Sequence, residues 1–216
     1  MNHIILIRHG MTAGNAERRY VGATDEPLCS AGITEVNELS HILSKSFIMD
    51  NNIIKTDNDM DTFENKHRIR FEYIWTSPML RAIQTAKLLF GNSRISIDPM
   101  MTETDFGIFE GKTAEELSSC KEYSRWLDSM CMSPIPMGDN INEFKSRTCN
   151  AFKNHLSELK DGESAAFVIH GGSIMAIMER FCEPSRNYYE YHIPTASYVF
   201  CSWNGDNLHM IGGALC

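Results

Sequence analysis

Apolar and polar positions divide the chain into two kinds of segment, short unbroken apolar runs and longer stretches with helical spacing. The apolar runs predict buried strands over 4–7, 73–75, 95–97, 165–170, 196–203 and 208–214. Helical spacing and capping residues predict helices over 30–44, 79–90, 114–119, 123–129, 143–159 and 174–181. Strands that alternate with helices indicate an α/β fold with a mainly parallel sheet.

Two boundaries are marked by particular residues, and one stretch breaks the pattern. Ser30 is the predicted cap of the first long helix, and Pro78 suits the first position of the second. The stretch from about residue 47 to residue 70 is rich in Asp and Asn and has no sustained period. We therefore expect a polar insertion within a single domain that spans residues 1–216.

Composition and net charge limit the kinds of binding partner to expect and indicate a cellular compartment. The net charge of −8 and the pI near 5.5 argue against a nucleic-acid or anionic membrane surface, whereas a local basic pocket for a small anion remains compatible. The seven cysteines are scattered and never spaced C-x-x-C, which favours free thiols in a reducing compartment. No stretch is long enough to span a bilayer, and Arg8 comes too early for a signal peptide. We expect a cytoplasmic protein.

Two predicted strands end in the same way, with a histidine followed by glycine. They are "LIRHG" at 6–10 and "FVIHGG" at 167–172. Ligands of open α/β sheets bind at the carboxyl ends of strands, so His9 and His170 could face each other across one pocket. The alternative is that each is an ordinary loop histidine, but the glycines would let backbone approach a ligand closely.

Cations and polar donors follow the same strand ends. Arg81 lies about one helical turn after the second strand, and with Arg8 it would supply two planar forks for a tetrahedral anion. Taken alone, the position of Arg81 favours a solvated helix arginine over a ligand-binding one. Thr12 and Asn15 add hydroxyl and amide donors on the loop after the first strand.

A carboxylate in "MMTETDFGIFEG" fits this anion site as a general acid. A nearby phosphate dianion favours the protonated form of Glu103, which keeps a proton ready for a leaving alkoxide. Asp105 and Glu110 lie in the same stretch, and spacing alone does not choose among the three.

Five ordered segments together resemble the histidine phosphatase superfamily, which includes the cofactor-dependent phosphoglycerate mutases. The segments are "RHGMTAGN" (8–15), "YVGATDEPLCSAG" (20–32), "SPMLRAIQTA" (77–86), "TETDFGIFEGKTAEEL" (102–117) and "VIHGGSI" (168–174). The resemblance implies a three-layer α/β/α sandwich with a mainly parallel central sheet. It also implies that His9 becomes phosphorylated and that Glu103 is the proton donor.

The resemblance further implies a phosphate pocket made without a metal or cofactor. Its members would be Arg8, Thr12, Asn15, Arg81, His170 and Gly171. A histidine nucleophile must be neutral with one nitrogen free, so we expect the other nitrogen of His9 to donate to a carbonyl near Gly10.

The segment at 102–117 is more similar to the phosphatase branch, particularly to α-ribazole phosphatases, because Lys112 is the one basic residue in it. We therefore expect a metal-independent phosphomonoesterase that acts on a small phosphorylated metabolite, with α-ribazole 5'-phosphate as a candidate. The alternatives are a phosphoglycerate mutase and a non-catalytic phospho-ligand binding protein. Met11, Asp139 and Met175 depart from the family's usual residues, and we expect Met175 to remove a structural pairing rather than catalysis. Asp139 and the insertion at about 47–70 leave the choice of substrate open, and the oligomeric state is open as well.

Overall fold

The computed structural model describes residues 1–48 and 69–214, which contain nine strands and six α-helices. The strands are β1 (Asn2–Arg8), β2 (Phe47–Ile48), β3 (Ile69–Arg70), β4 (Tyr73–Thr76), β5 (Ser96–Ile97), β6 (Ser164–Ile169), β7 (Cys182–Glu183), β8 (Tyr198–Trp203) and β9 (Leu208–Gly213). The helices are α1 (Ala13–Ala16), α2 (Ser30–Leu43), α3 (Leu80–Phe90), α4 (Lys121–Asp128), α5 (Ile141–Ser157) and α6 (Gly171–Phe181).

Seven of these strands form one sheet in the order β5-β4-β6-β1-β8-β9-β7. β5, β4, β6 and β1 pair in parallel, and among the described strands of this sheet only β8 runs in the opposite direction. The predicted mainly parallel sheet is therefore confirmed.

Alternate residues of β1 serve two separate cores, because successive side chains of a strand point to opposite faces. Ile4 and Leu6 pack in a cluster that includes Phe152 of α5 and Ile174 of α6. Ile5 and Ile7 pack in a second cluster with residues of α2 and α3. Helices cover both faces of the sheet, which is the three-layer α/β/α arrangement.

The register of the two central strands sets the place of the functional site. β1 and β6 pair in parallel, with Arg8 opposite Ile169 at their last residues. The residues that follow the two strands, His9 and His170, therefore leave the sheet side by side at its carboxyl edge. The sequence predicted this juxtaposition.

Several predicted boundaries were wrong. Residues 114–119 form successive turns rather than a helix: after the bond from the Leu117 N–H to the Thr113 carbonyl, the N–H groups of Ser118 and Cys120 bond carbonyls three residues back. The N-cap of α2 is Cys29, whose sulfur accepts from the Gly32 N–H, rather than Ser30. α3 begins at Leu80, two residues after Pro78.

The start of α6 also differs from the prediction, and it bears on the site. The helix begins at Gly171 rather than at residue 174, with His170 as its N-cap. The His170 carbonyl accepts from the Ile174 N–H at 3.0 Å. The Gly-Gly pair that reads as a loop is therefore the first turn of a helix that points at the histidines.

The predicted insertion at about 47–70 falls mostly outside the described residues. Its ends lie within them and form a two-strand parallel pair, with Phe47 opposite Ile69. A single domain over residues 1–216 stays a prediction. Across residues 1–48 and 69–214, every helix is too short or too polar to cross a bilayer.

Candidate active site

Two buried histidines form the centre of the site. The ring centroids of His9 and His170 lie 5.1 Å apart, with the ring planes at 65°. His9 is 4% exposed and His170 is fully buried. Histidines that are 161 positions apart in the chain are thus neighbours at one edge of the sheet.

One hydrogen bond fixes which nitrogen of His9 is available. The Nδ1 atom lies 2.7 Å from the carbonyl oxygen of Gly10. Because a carbonyl only accepts, Nδ1 carries the proton, and the lone pair is on Nε2. This is the geometry that the sequence predicted for a histidine nucleophile.

A hydroxyl group orients His170 in a similar way. Its Nε2 atom lies 2.7 Å from Ser77 Oγ, and that oxygen accepts from the Met79 N–H at 3.3 Å. With one lone pair of Ser77 occupied, its hydroxyl proton can be donated to Nε2. Nδ1 of His170 then carries the proton, and it has no hydrogen-bond partner among residues 1–48 and 69–214.

Both histidines are held in the neutral form. Burial lowers the pKa of His9 well below its usual value of 6.5, and the charges of Arg81 and Arg8 lower it further, whereas the bond to Gly10 opposes the shift. The pKa of His170 is also well below 6.5, first because of burial and then because of Arg81. At neutral pH the Nε2 lone pair of His9 is therefore present.

Arg81 is fully buried and is held by backbone carbonyls. Its Nη1 donates to the Thr24 oxygen and its Nη2 to the Gly22 oxygen, both at 2.8 Å. Its Nε atom is buried without a hydrogen-bond partner in the described part of the chain. Burial lowers the pKa of Arg81, and the charge of Glu103 opposes that shift most strongly. The guanidinium thus remains a hydrogen-bond donor although the side chain has no exposed surface.

Arg8 approaches the same site from the end of β1. Its Nη1 donates to the Ile193 carbonyl at 2.6 Å and lies 3.3 Å from Nε2 of His192. A Cβ built on Gly171 would lie 3.2 Å from the guanidinium carbon of Arg8. Gly171 therefore lets Arg8 lie against the first turn of α6.

Glu103 lies at the same helix start. Its Oε2 accepts from the Gly172 N–H at 3.0 Å, and its Oε1 accepts from the Thr104 N–H at 2.8 Å. A Cβ on Gly172 would overlap Oε1, so a larger residue at that position would displace the carboxylate. The carboxylate is half-buried. Gly172, whose N–H it accepts, is two residues after His170 in the chain.

The two competing carboxylates have other partners. Asp105 accepts from the Gly107 N–H at 2.8 Å, which closes a local turn. Glu110 accepts from four backbone N–H groups and one hydroxyl, which belong to Gly22, Ala23, Thr24 and Phe106. Of the three candidates, Glu103 is the one bonded to the helix that follows His170.

Thr12 and Asn15 cap the short helix α1. Thr12 Oγ1 accepts from the Asn15 N–H, and Asn15 Oδ1 accepts from the Thr12 N–H, both at 3.2 Å. The Thr12 hydroxyl proton and the Asn15 NH₂ group are not used by this cap. Their predicted contact with phosphate stays a prediction.

Sequence reasoning missed several residues that hold the site together. Ser77 orients His170, and Thr85 accepts from the Gly10 N–H while it donates to the Arg81 carbonyl. Glu35 accepts from the Met11 N–H and from the Thr195 hydroxyl. Ser77 had a signal, since it directly follows a buried strand as the two histidines do.

Two departures from the family pattern have structural partners. Asp139 accepts from the Asp105 N–H at 3.0 Å and pairs with Arg147 at 3.3 Å. Met175 packs against the core beside α5. A cavity of about 570 Å³ lies at the opposite edge of the sheet, beside Asn2 and Trp203, and contains none of the predicted site residues.

Comparison with known proteins identifies the family. The family model of the histidine phosphatase superfamily (branch 1) matches residues 4–51 and 62–212. The chain is 26% identical over 209 residues to phosphoglycerate mutase-like protein 4 of Arabidopsis thaliana, covering 94% of this chain and 80% of that protein. It is 24% identical over 179 residues to the adenosylcobalamin/alpha-ribazole phosphatase of Escherichia coli strain K12, covering 81% and 76%.

A solved structure shares the fold. It is that of a putative alpha-ribazole-5'-P phosphatase from Escherichia coli K-12, with a TM-score of 0.76 and 21% identity over 96% of this chain and 93% of that chain. Together with the family match over most of the sequence, this leads to one conclusion. The chain belongs to branch 1 of the histidine phosphatase superfamily.

Proposed function

We propose that this protein is a metal-independent phosphomonoesterase that hydrolyses a small phosphorylated metabolite through a phosphohistidine intermediate. The observation that carries the proposal is the geometry of the His9 ring. Its Nδ1–H donates a hydrogen bond to the Gly10 carbonyl, which leaves the Nε2 lone pair free to attack phosphorus. The buried guanidinium of Arg81 and that of Arg8 supply positive charge beside it. This arrangement combines a neutral nucleophile with fixed cations, as phosphoryl transfer requires.

In the first step Nε2 of His9 attacks phosphorus, and the bond from phosphorus to the leaving oxygen breaks. The leaving alkoxide takes a proton from Glu103, which is thereby left as a carboxylate. His170, through its Nδ1 proton, and the two arginines stabilise the charge on the phosphoryl oxygens during transfer.

In the second step a water molecule attacks the phosphohistidine. Glu103 takes the proton of the water, the bond between phosphorus and Nε2 breaks, and inorganic phosphate leaves. The His9 lone pair and the protonated Glu103 are both restored, so the enzyme is ready for another cycle.

The substrate class rests on a relative and on charge. A relative of 24% identity is a phosphatase named for adenosylcobalamin and α-ribazole, which supports a phosphatase and makes α-ribazole 5'-phosphate a candidate. The segment that carries Glu103 offers one basic residue, Lys112, whose ammonium bonds the Ile108 carbonyl. A second phosphate group therefore finds little positive charge in that segment, which disfavours a bisphosphate cofactor.

The test is hydrolysis of p-nitrophenyl phosphate in the presence of EDTA. Wild-type protein should release phosphate, and His9→Ala should reduce the rate to background. Rapid denaturation during turnover should trap an acid-labile, base-stable phosphoprotein in the wild type and not in His9→Ala. Wild-type protein that releases no phosphate from a panel of phosphomonoesters would instead support a non-catalytic phospho-ligand binding protein.

The mutase alternative needs its own assay, because a relative of 26% identity is named phosphoglycerate mutase-like. The protein is incubated with 3-phosphoglycerate and 2,3-bisphosphoglycerate, and both the isomer and free phosphate are measured. We expect phosphate release without efficient interconversion. Interconversion without net phosphate release would replace the proposal with the mutase.

A further inference from the structure

The carboxylate of Glu110 is the most heavily bonded side chain near the site, and the reaction proposed above does not use it. Oε1 accepts from the N–H groups of Gly22, Ala23 and Phe106 at 3.0, 2.9 and 3.0 Å. Oε2 accepts from the Thr24 hydroxyl at 2.7 Å and from the Thr24 N–H at 3.4 Å. All of these groups donate to Glu110, and its carboxylate acts here as an acceptor.

The loop that Glu110 holds is the loop that holds Arg81. Residues 22–24 give their N–H groups to Glu110, and the carbonyls of Gly22 and Thr24 accept both Nη atoms of Arg81. The Gly22 carbonyl and the Ala23 N–H belong to one rigid peptide plane, so the bond from the Ala23 N–H to Glu110 also restricts the direction of the Gly22 carbonyl. Glu110 therefore acts on Arg81 through one short loop.

The same carboxylate also holds the segment that carries the proposed acid. Phe106, whose N–H bonds Oε1, lies three residues after Glu103. The backbone of Gly22 packs directly on this segment, because a Cβ on Gly22 would overlap the Thr104 carbonyl oxygen. Glu110 thus links the 22–24 loop, which holds Arg81, to the segment that contains Glu103.

We propose that Glu110 is a positioning residue, which sets the place of the Arg81 guanidinium relative to the reacting phosphoryl group and to Glu103. The proposal rests on the proposed phosphoryl transfer at His9, and it assigns Glu110 no contact with substrate. Its loss should weaken binding of the transition state more than binding of the ground state. Phosphoryl transfer requires accurately placed donors, whereas binding of phosphate itself is less sensitive to their position.

The test is Glu110→Gln, which keeps the shape but replaces an acceptor oxygen by an NH₂ group that faces N–H donors. We expect kcat/KM for p-nitrophenyl phosphate to fall about 10²-fold, as a misplaced catalytic group does, with a smaller change in KM. By calorimetry, orthovanadate, which mimics the transition state, should bind at least about tenfold more weakly. Binding of inorganic phosphate should change less than about threefold.

A double-mutant comparison separates positioning from general damage. If Glu110 acts through Arg81, adding Glu110→Gln to Arg81→Lys should cost less than about threefold further in kcat/KM, because interacting residues are non-additive. Independent losses that multiply would overturn the proposal, and so would a single variant with unchanged kcat/KM.

Two further variants keep the test decisive. Glu116→Gln is the matched control, since Glu116 also accepts a backbone N–H, from Thr113 at 2.8 Å, but does not bond the 22–24 loop in the described structure. We expect it to leave kcat/KM within about twofold. If Glu110→Gln fails to fold, Thr24→Val removes only the hydroxyl bond to Glu110, and it should weaken vanadate binding more than phosphate binding.

Failure of the proposed function would look different from failure of this inference. Wild-type protein without phosphatase activity would refute the proposed reaction. The ratio of vanadate affinity to phosphate affinity, compared by calorimetry between the wild type and Glu110→Gln, would still test the positioning role. An active wild type whose vanadate-to-phosphate ratio is the same in Glu110→Gln would refute the positioning role alone.

Discussion

At the residue scale, the two arginines of the site are held in the same manner by different loops. Arg81 donates to the carbonyls of Gly22 and Thr24, and Arg8 donates to the carbonyl of Ile193. Carbonyl oxygens carry only a partial charge, so they fix a guanidinium without neutralising it as a carboxylate would. For Arg81, these contacts leave the positive charge available to the proposed phosphate ligand.

Arg81→Lys tests the need for the fork. Lysine keeps the charge but has one ammonium group, which cannot hold two carbonyls and also reach a phosphoryl oxygen. We expect kcat/KM for p-nitrophenyl phosphate to fall about 10²–10³-fold. The exposed Arg125 on α4 supplies the matched control, Arg125→Lys, which should stay within about twofold. A loss below about fivefold for Arg81→Lys would show that charge alone suffices.

The residues of the site divide into those that sequence could predict and those that it could not. His9, His170 and Arg81 were predictable because each stands just beyond an apolar strand, and strand ends of a parallel sheet share an edge. Glu110 and Glu35 were not predictable in their roles, since they bond backbone N–H groups of distant segments. Every residue except proline carries an N–H, so such a partner leaves no mark in the sequence.

At the scale of single elements, the start of α6 brings several functions into one turn. His170 is the N-cap, Gly171 admits the guanidinium of Arg8, and the N–H of Gly172 bonds Glu103. A side chain at either glycine would push against a group of the site. The first turn of α6 therefore sets the spacing between the proposed phosphate pocket and the proposed acid.

Gly172→Ala should disturb proton donation more than phosphate binding. Its Cβ would overlap Oε1 of Glu103 and displace the carboxylate from the leaving group. Poor leaving groups need a proton and p-nitrophenolate does not, so we expect a loss of about 10²-fold for an alkyl phosphate. For p-nitrophenyl phosphate we expect less than about threefold. The rates are compared by phosphate release.

The control for this experiment is Gly212→Ala in β9, where a Cβ meets no atom of the described structure within 4 Å. It should leave both rates nearly unchanged. Equal losses for the two substrates in Gly172→Ala would mean that the substitution damages the pocket as a whole and that Glu103 is not the acid.

The element boundaries show a second limit of sequence reasoning. The apolar runs located the central strands well, because burial on both faces leaves one dominant signal. The turns at 114–119 contain helix-forming residues, but the N–H groups of Ser118 and Cys120 bond carbonyls three residues back, so the α-helical pattern does not continue. The two-residue strands β2, β3 and β7 are set by long-range pairing, which short segments do not encode.

At the scale of the whole molecule, the buried histidines couple the site to folding. His9 and His170 have pKa values well below 6.5, mainly because burial disfavours the charged ring. The unfolded chain takes up protons at these positions below pH 6.5, whereas the folded protein does not. The contribution of the neutral histidines to the free energy of unfolding is therefore fully present above pH 6.5, and the free energy of unfolding decreases as the pH falls below 6.5.

This linkage is measurable by urea unfolding at pH 7.5 and pH 5.5. Each histidine that stays neutral in the folded protein should account for about 1.4 kcal/mol of the stability lost between the two values. His170→Gln should therefore lose about 1.4 kcal/mol less than the wild type over the same interval. An identical loss in the two proteins would mean that His170 is protonated in the folded protein at pH 5.5.

The pairing of β1 with β6 and β8 has a consequence for how the chain is made. β1 ends at residue 8, but the strands that flank it come much later in the chain: β8 begins at residue 198, and β6, the earlier of the two, begins at residue 164, an interval of about 155 residues. At typical rates of protein synthesis that interval is about 8–30 s. For this time the apolar run from Ile4 to Ile7 lacks both of the strands that pair with it in the folded protein.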